Sequence, residues 1–267
     1  MMARRRLEDE LVRRGLVASR DEAAEALSGG RVLVAGSRTD NPATLVASSA
    51  SVDLIPEPRP YVSRGGSKLR AALERFEIDP SGLDCLDAGS STGGWTDCLL
   101  RAGAARVIAV DVSYGQLAWS LRTDPRVIVM ERTNVRSLAA DALPFRPELV
   151  VADLSFISLG LVLPNLSSLA TRGARFVALV KPQFEAARSE IEPGGVVSEP
   201  GVWSAVLVGA RGMFEEAGIR PTGVIASPLR GPAGNVEFLM TGQRSARDGS
   251  HLDIAAAVRE GIEVGAG

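Results

Sequence analysis

The sequence predicts a doubly wound α/β domain preceded by a smaller α+β module, and three observations predict it. Leu83-Asp-Cys-Leu-Asp-Ala-Gly-Ser-Ser-Thr-Gly-Gly-Trp95 reads as a buried strand, a glycine-rich turn and a helix start. Glycines 89, 93 and 94 let the backbone turn sharply and bring its N–H groups close to a ligand. Val107-Ile-Ala-Val-Asp111 is a second apolar run closed by an acid, placed to bind the two hydroxyls of a ribose. Downstream, strand and helix patterns alternate, the signature of a parallel sheet covered on both faces.

Composition narrows the function classes. The 267 residues carry a formal net charge of -2. Residues 1–70 hold 12 basic against 9 acidic side chains, which places any nucleic-acid affinity at the N-terminal end. Cys85 and Cys98 read as packing thiols in a reducing cytosol. The single histidine, His251, lies far in sequence from the glycine turn. That argues against a His-ligated zinc site and a Ser-His-Asp triad. No apolar run approaches the roughly 20 residues that span a bilayer, and acids interrupt the N-terminus before a signal core could form. A cytoplasmic protein with no membrane partner is expected. Of 30 basic residues, only Lys68 and Lys181 are lysine. An ammonium can lose its proton when its surroundings favour that, whereas a guanidinium stays charged.

Taken in order, Leu7–Arg14 is a short helical pattern, and Ser19-Arg-Asp-Glu22 is a capping box opening a helix that stops at Gly29-Gly30. Arg31–Gly36 and Val52–Ile55 read as strands of a marginal core, giving a first domain over 1–58. Pro56–Pro60 is a stiff extended segment within the approach to a linker at 59–66. The larger domain takes 67–267. Ser67 reads as a helix cap, which puts Lys68 in the electropositive first turn, a poor place for a merely stabilising lysine. The expected elements then run helix Gln116–Leu121, strand Val127–Met130, a helix near Val135–Ala140 and strand Leu149–Ala152. Helix Ser158–Ala170, strand Phe176–Val180 and helix Trp203–Ala217 follow. Gly223–Ala226 and Val236–Met240 read as edge strands, Glu185–Val197 as a loop suited to a lid, and Asp253–Glu263 as a weak helix.

A glycine turn alone is weak, because many tight turns need glycine for steric reasons only. The pattern here is neither G-x-G-x-x-G nor a P-loop, so S-adenosyl-L-methionine suits it better than NAD or ATP. Ligands in such sheets gather at the carboxyl ends of strands. Asp153 and Lys181 follow expected strands, Glu237 enters the last one, and Lys68 arrives from the preceding helix. Both lysines are therefore expected to meet carboxylates at one rim.

Two resemblances add to this reading. Leu-x-x-Glu-Leu-Val-x-Arg-Gly-Leu, Ser-Arg-x-x-Ala and Gly-x-Val-x-Val-x-Gly resemble the RNA-binding domain named after the small-subunit ribosomal protein S-four. The resemblance implies phosphate contacts at Arg4, Arg5, Arg6, Arg14 and Arg20. Val-Ser-Arg-Gly-x-x-Lys-Leu, Asp-Ala-Gly-x-Ser-Thr-Gly-Gly, Ala-Asp-Leu-Ser-Phe-Ile-Ser, Val-Lys-Pro-Gln-Phe-Glu and Ser-Pro-x-x-Gly-x-x-Gly-Asn-x-Glu resemble the TlyA family over nearly the whole chain. That implies a Rossmann-like class I methyltransferase sheet and the ribose 2′-O-methyltransferase tetrad Lys68, Asp153, Lys181 and Glu237. It implies S-adenosyl-L-methionine held around Asp87, Gly89, Ser90, Gly93, Gly94, Asp111 and Val112, with Asn134 at the adenine edge. It further implies cytidine in ribosomal RNA as target, with effects on capreomycin and viomycin sensitivity. Arg132 and Arg136 are expected to extend the RNA surface, and the protein to act as a monomer. The chain departs from actinobacterial family members at Tyr61, where their linker has tryptophan.

A ribose hydroxyl is a poor nucleophile and must lose its proton as the methyl group arrives. A lysine acting as base needs to titrate at roughly 7–8 rather than at its reference value of about 10.4, a change worth about 4 kcal/mol. Lys181 is expected as that base, Lys68 as its electrostatic partner, and Asp153 and Glu237 as orienting groups. Two other classes stay open at this point: a cytolysin, as the family's historical name suggests, and a non-catalytic RNA-binding assembly factor.

Overall fold

A computed structural model describes residues 4–17, 19–55, 60–244 and 252–266. The chain divides into two compact units, Met1–Arg59 and Pro60–Gly267. His251 and most of the segment Pro56–Pro60 lie outside the described residues.

The first unit contains β1 (Arg4–Arg6), α1 (Leu7–Arg13), α2 (Arg20–Ser28), β2 (Val32–Val34), β3 (Ser37–Arg38), β4 (Leu45–Ala47) and β5 (Val52–Leu54). Leu7, Leu11, Ala23, Ala26 and Leu27 bury the helix stripes against Val32, Val46 and Val52. Ser19 caps α2, its hydroxyl accepting the Glu22 N–H at 3.2 Å. Strands β1 and β3 have no sequence signal, since three successive arginines show no alternation. β1 exists because antiparallel pairing with β4 supplies its hydrogen bonds.

The second unit runs α3 (Gly65–Arg75), β6 (Asp84–Ala88), α4 (Gly94–Arg101), β7 (Arg106–Val110), α5 (Trp119–Arg122), β8 (Val127–Met130) and β9 (Leu149–Ala152). It continues with α6 (Leu163–Leu169), β10 (Arg175–Val180), α7 (Pro182–Glu185), α8 (Pro200–Glu216), β11 (Ile219–Ala226), β12 (Phe238–Arg244) and α9 (Ile254–Ala266). The sheet order is β11-β12-β10-β9-β6-β7-β8. Successive strand residues point to opposite faces, so Cys85, Val107 and Ala109 join the core cluster of α3 and α4 while Leu86, Ile108 and Val110 join the one that also holds residues of α6, α8 and α9. Both faces are therefore dry, which is why these strands read as continuous apolar runs. Truncating a central residue such as Ile108 to Ala would cost about 2–5 kcal/mol.

Several expectations need correction. The sheet is not parallel throughout, because β12 runs antiparallel to both β10 and β11. The stretch between β11 and β12 is shorter than a parallel crossover requires. Of these two strands β12 is thus interior and only β11 is an edge. The helix near Val135–Ala140 is absent: the Asn165 amide takes the carbonyls of Val135 (2.6 Å) and Leu138 (3.0 Å), leaving only a 3₁₀ turn at Ala140–Ala142. The Ser158–Ala170 pattern divides into a 3₁₀ turn at Leu159–Leu161 and α6. The pattern from Gln116 contracts to α5. Ser67 is not a cap, since α3 starts at Gly65 after Arg64 and Lys68 is its fourth residue. A Cβ on Gly66 would lie 2.3 Å from the Tyr61 ring. Residues 61–66, expected as linker, thus belong to the second unit, where the Val62 N–H donates to Asp97 Oδ2 at 2.9 Å. The loop Glu185–Val197 carries a 3₁₀ turn at Arg188–Glu190 and a bridge between Glu192 and Val196.

Candidate active site

Strand order reverses beside β6, which has β9 on one side and β7 on the other. A crevice opens at such a switch point, outside the strands' carboxyl ends. Here it is a cavity of about 460 Å³ whose lining includes Gly89 after β6, Asp111 and Val112 after β7, Asn134 after β8, and Asp153 after β9.

The glycine turn fits by steric need. Gly89 has φ +87°, and a Cβ there would stand 2.4 Å from the Asp153 carbonyl oxygen. Gly93 has φ +96° and would strike Leu121 at 2.2 Å. Asp111 fastens the turn: Oδ2 accepts the Ser91 N–H at 2.8 Å and Oδ1 the Ser113 N–H at 2.7 Å. A carboxylate has about four lone-pair sites, so capacity remains for a diol. The expected cofactor residues therefore separate into two groups. Gly89, Asp111, Val112 and Asn134 line the cavity. Asp87, Ser90, Gly93 and Gly94 are buried and support its wall. Asp87 is the extreme case, with no exposure. Burial pushes its carboxyl up to about 7, and Asp153 and Asp111 add to the shift, while hydrogen bonds from Thr96 oppose it. The Thr96 hydroxyl donates to Oδ2 at 2.7 Å and Oδ1 has no partner among the described residues.

The four expected catalytic side chains form two ion pairs at the same rim. Lys68 Nζ donates to Glu237 Oε2 at 2.5 Å. Lys181 Nζ lies 2.7 Å from Asp153 Oδ1, and donates a hydrogen bond to Ser155 Oγ at 3.0 Å. Asp153 Oδ1 thus has a charge contact but no aligned hydrogen bond. Strand pairing brings the two together: Val180 of β10 pairs with Phe238 of β12, and Lys181 and Glu237 are the next residues outward.

Three residues that the structure places at or beside the site escaped the sequence reading. Ser155 receives the Lys181 proton donor. Phe156 is 90% exposed at the cavity, with φ +63°, and stands 5.2 Å from the Phe184 ring. Glu185 ties the segment after β10 to the one after β9, accepting the Ser158 hydroxyl at 2.6 Å and the Leu159 N–H at 2.7 Å. Burial pushes the Glu185 carboxyl up. The signal lay inside the Ser-Phe-Ile-Ser and Lys-Pro-Gln-Phe-Glu motifs, but their mutual contact is tertiary.

The expected RNA residues differ in availability. Arg4, Arg5 and Arg6 are exposed, though on β1 rather than on a helix. Arg14 is committed to the fold: its Nε donates to Glu10 Oε1 and its Nη1 to the Ala50 carbonyl, each at 2.8 Å. Glu10, held by Arg13 and Arg14, is lowered to about 2. Arg20 is exposed but paired with Asp9 at 2.9 Å. Arg132 lies over the Tyr114 ring at 4.4 Å beside the cavity, and Arg136 is exposed nearby in sequence. Both cysteines are free and buried, Cys85 pushed up to about 12 and Cys98 to about 11 by burial.

Comparisons with known proteins reach the same description. The family described as FtsJ-like methyltransferase matches residues 61–244, and the S4 domain matches residues 5–52. The 16S/23S rRNA (cytidine-2'-O)-methyltransferase TlyA of Mycobacterium tuberculosis is 52% identical over 241 residues, 90% of each chain. The 23S rRNA (cytidine-2'-O)-methyltransferase TlyA of Campylobacter jejuni is 34% identical, covering 73% of this chain and 74% of that one. A solved structure of a hemolysin candidate from Streptococcus thermophilus superposes with a TM-score of 0.75 at 35% identity, covering 99% of this chain and 98% of that one.

Proposed function

The chain belongs to the TlyA family of FtsJ-like methyltransferases, and from that premise we propose that it methylates a ribose 2′-hydroxyl of 16S and/or 23S ribosomal RNA, at cytidine, using S-adenosyl-L-methionine. The observation that carries the reading is that Asp153 and Ser155, at the wall of the cavity bounded by the glycine turn, both contact Lys181 Nζ. The residues fit the cofactor: the Gly89 cradle leaves no room for a Cβ, and the Asp111 carboxylate faces a cavity with acceptor capacity left. When bound, S-adenosyl-L-methionine supplies an electrophilic methyl on a sulfonium.

The chain's own residues do the rest. Lys181, acting as the neutral amine, takes the proton of the 2′-hydroxyl, and Ser155 and Asp153 hold its Nζ in place before the transfer and as the ammonium after it. Asp153 Oδ1, 2.7 Å from Lys181 Nζ, stabilises the ammonium that the transfer forms. Lys68 keeps a second positive charge at the rim, fixed by Glu237. Exposed Arg4, Arg5, Arg6, Arg132 and Arg136 supply phosphate contacts that position rather than specify. The protein acts in the cytoplasm as a monomer. Cytolysis rests on relatives' names, and no helix among the described residues is long and apolar enough to cross a membrane.

The test is transfer of labelled methyl to 30S and 50S subunits from a strain lacking the gene, with nucleoside analysis of the product. Labelled 2′-O-methylcytidine is expected, with altered capreomycin sensitivity in cells. Tight RNA binding without incorporation would instead establish the non-catalytic assembly role.

A further inference from the structure

A second cavity, of about 380 Å³, lies at the opposite rim of the sheet. Its charged and polar walls are Arg75 and Glu77 at the end of α3, Arg175 at the start of β10, Arg220 and Thr222 on β11, and Gln243 on β12. Arg175 is six residues before Lys181 along one strand, so at ~3.3 Å per residue the two sites stand roughly 20 Å apart.

Three guanidiniums therefore face one cavity with a single lining carboxylate. Their partners among the described residues leave most donors unused. Arg75 Nη2 reaches Glu260 Oε1 at 3.0 Å, and Arg175 Nη1 donates to the Glu77 carbonyl at 3.4 Å. Arg220 Nε is buried with no acceptor among the described residues. Each guanidinium carries five donors in a planar fork, and a buried donor without an acceptor is destabilising until one arrives. A carboxylate has two oxygens and cannot serve three forks. A phosphate group presents four oxygens on a tetrahedral centre, so it can meet several forks from different directions, and guanidinium forks pair with it bidentately as they do with a carboxylate.

We propose that this cavity is a phosphate-binding site, separate from the site of methyl transfer. The phosphate is either a phosphodiester of bound RNA or a free phosphate ion, and the same three arginines would hold both.

Two measurements on the full chain decide it. In the first, thermal unfolding is followed in inorganic phosphate and in chloride at equal ionic strength, a comparison independent of any methylation. Phosphate is expected to raise the midpoint of the wild type and of a distant control, Arg211→Gln, but not of Arg175→Gln or Arg220→Gln. Arg175 is exposed, so that variant keeps the test valid if Arg220→Gln fails to fold. In the second, binding of ribosomal subunits is measured against salt. If RNA is the source, Arg175→Gln lowers the slope of log K against log salt by about 1. An unchanged slope with a lost phosphate response assigns the site to the free ion. An Arg175→Gln protein that matches the wild type in both measurements overturns the proposal.

Discussion

Two lysine–carboxylate pairs stand at one rim of the sheet, and their surroundings differ. The side chains of Lys68 and Glu237 are 9% and 1% exposed, with the turn at Gly231 lying against the carboxylate. Those of Lys181 and Asp153 are 11% and 24% exposed; Lys181 also bonds Ser155, and Asp153 and Ser155 border the cavity. The sealed pair can change its charge only at high cost, whereas the bordering pair can exchange a proton with something that enters. The first is built as a fixed field and the second as a working group.

The largest effect should come from the working pair. Lys181→Arg keeps the charge but removes a group able to accept a proton. Single-turnover methyl transfer should fall by about 10²–10⁴-fold, while calorimetric affinity for S-adenosyl-L-methionine changes little. Turnover near wild type in this variant would abolish the distinction between the pairs.

Stability should separate them in the other direction. Lys68→Met leaves Glu237 buried and unpaired, costing about 3–5 kcal/mol in urea unfolding, and Lys68→Met/Glu237→Gln should recover most of it. Asp153→Asn should cost well under half as much, because solvent reaches that pair. Equal losses would mean that burial does not distinguish them.

Asp87 sharpens the point, being a buried carboxylate with no cation paired to it among the described residues. Its ordinary value of 3.8 is raised to about 7 in the fold. Folding therefore favours the protonated form: that contribution is complete below about 4 and is lost as pH rises to about 7. Asp87→Asn keeps an acceptor for Thr96 and cannot ionise. Its stability should fall less between pH 4 and 8 than the wild type's, by roughly 1–4 kcal/mol. Parallel pH profiles would refute it.

The smallest effect belongs to Glu185. Glu185→Ala frees the loop bearing Ser155 and Phe156 from α7, and kcat should drop by about tenfold with KM for the cofactor unchanged. Glu185→Gln, which still accepts the Leu159 N–H, should restore most of the loss.

Much of this was legible beforehand because of local physics. Val127–Met130 and Leu149–Ala152 coincide with their strands, the first half-buried at the sheet edge and the second fully buried, since a parallel strand covered on both faces needs an unbroken apolar run bounded by polar turns. Patterns failed where another part of the chain competed for the backbone. Asn165 took the carbonyls that a helix after Val135 would have used. Tyr61 packs on Gly66 and moves the start of α3 ahead of the serine that looked like its cap. Arg14 looked like a free phosphate ligand by position, yet Glu10 and two backbone carbonyls occupy it.

By itself the sequence determined that two lysines and two acids sit at helix and strand ends beside a glycine turn, because each of those positions follows from a short apolar period. Only the tertiary structure decided which acid meets which lysine and which pair opens to the cavity. That choice turns on β12 entering the sheet antiparallel between β10 and β11, a matter of strand order that no local pattern encodes.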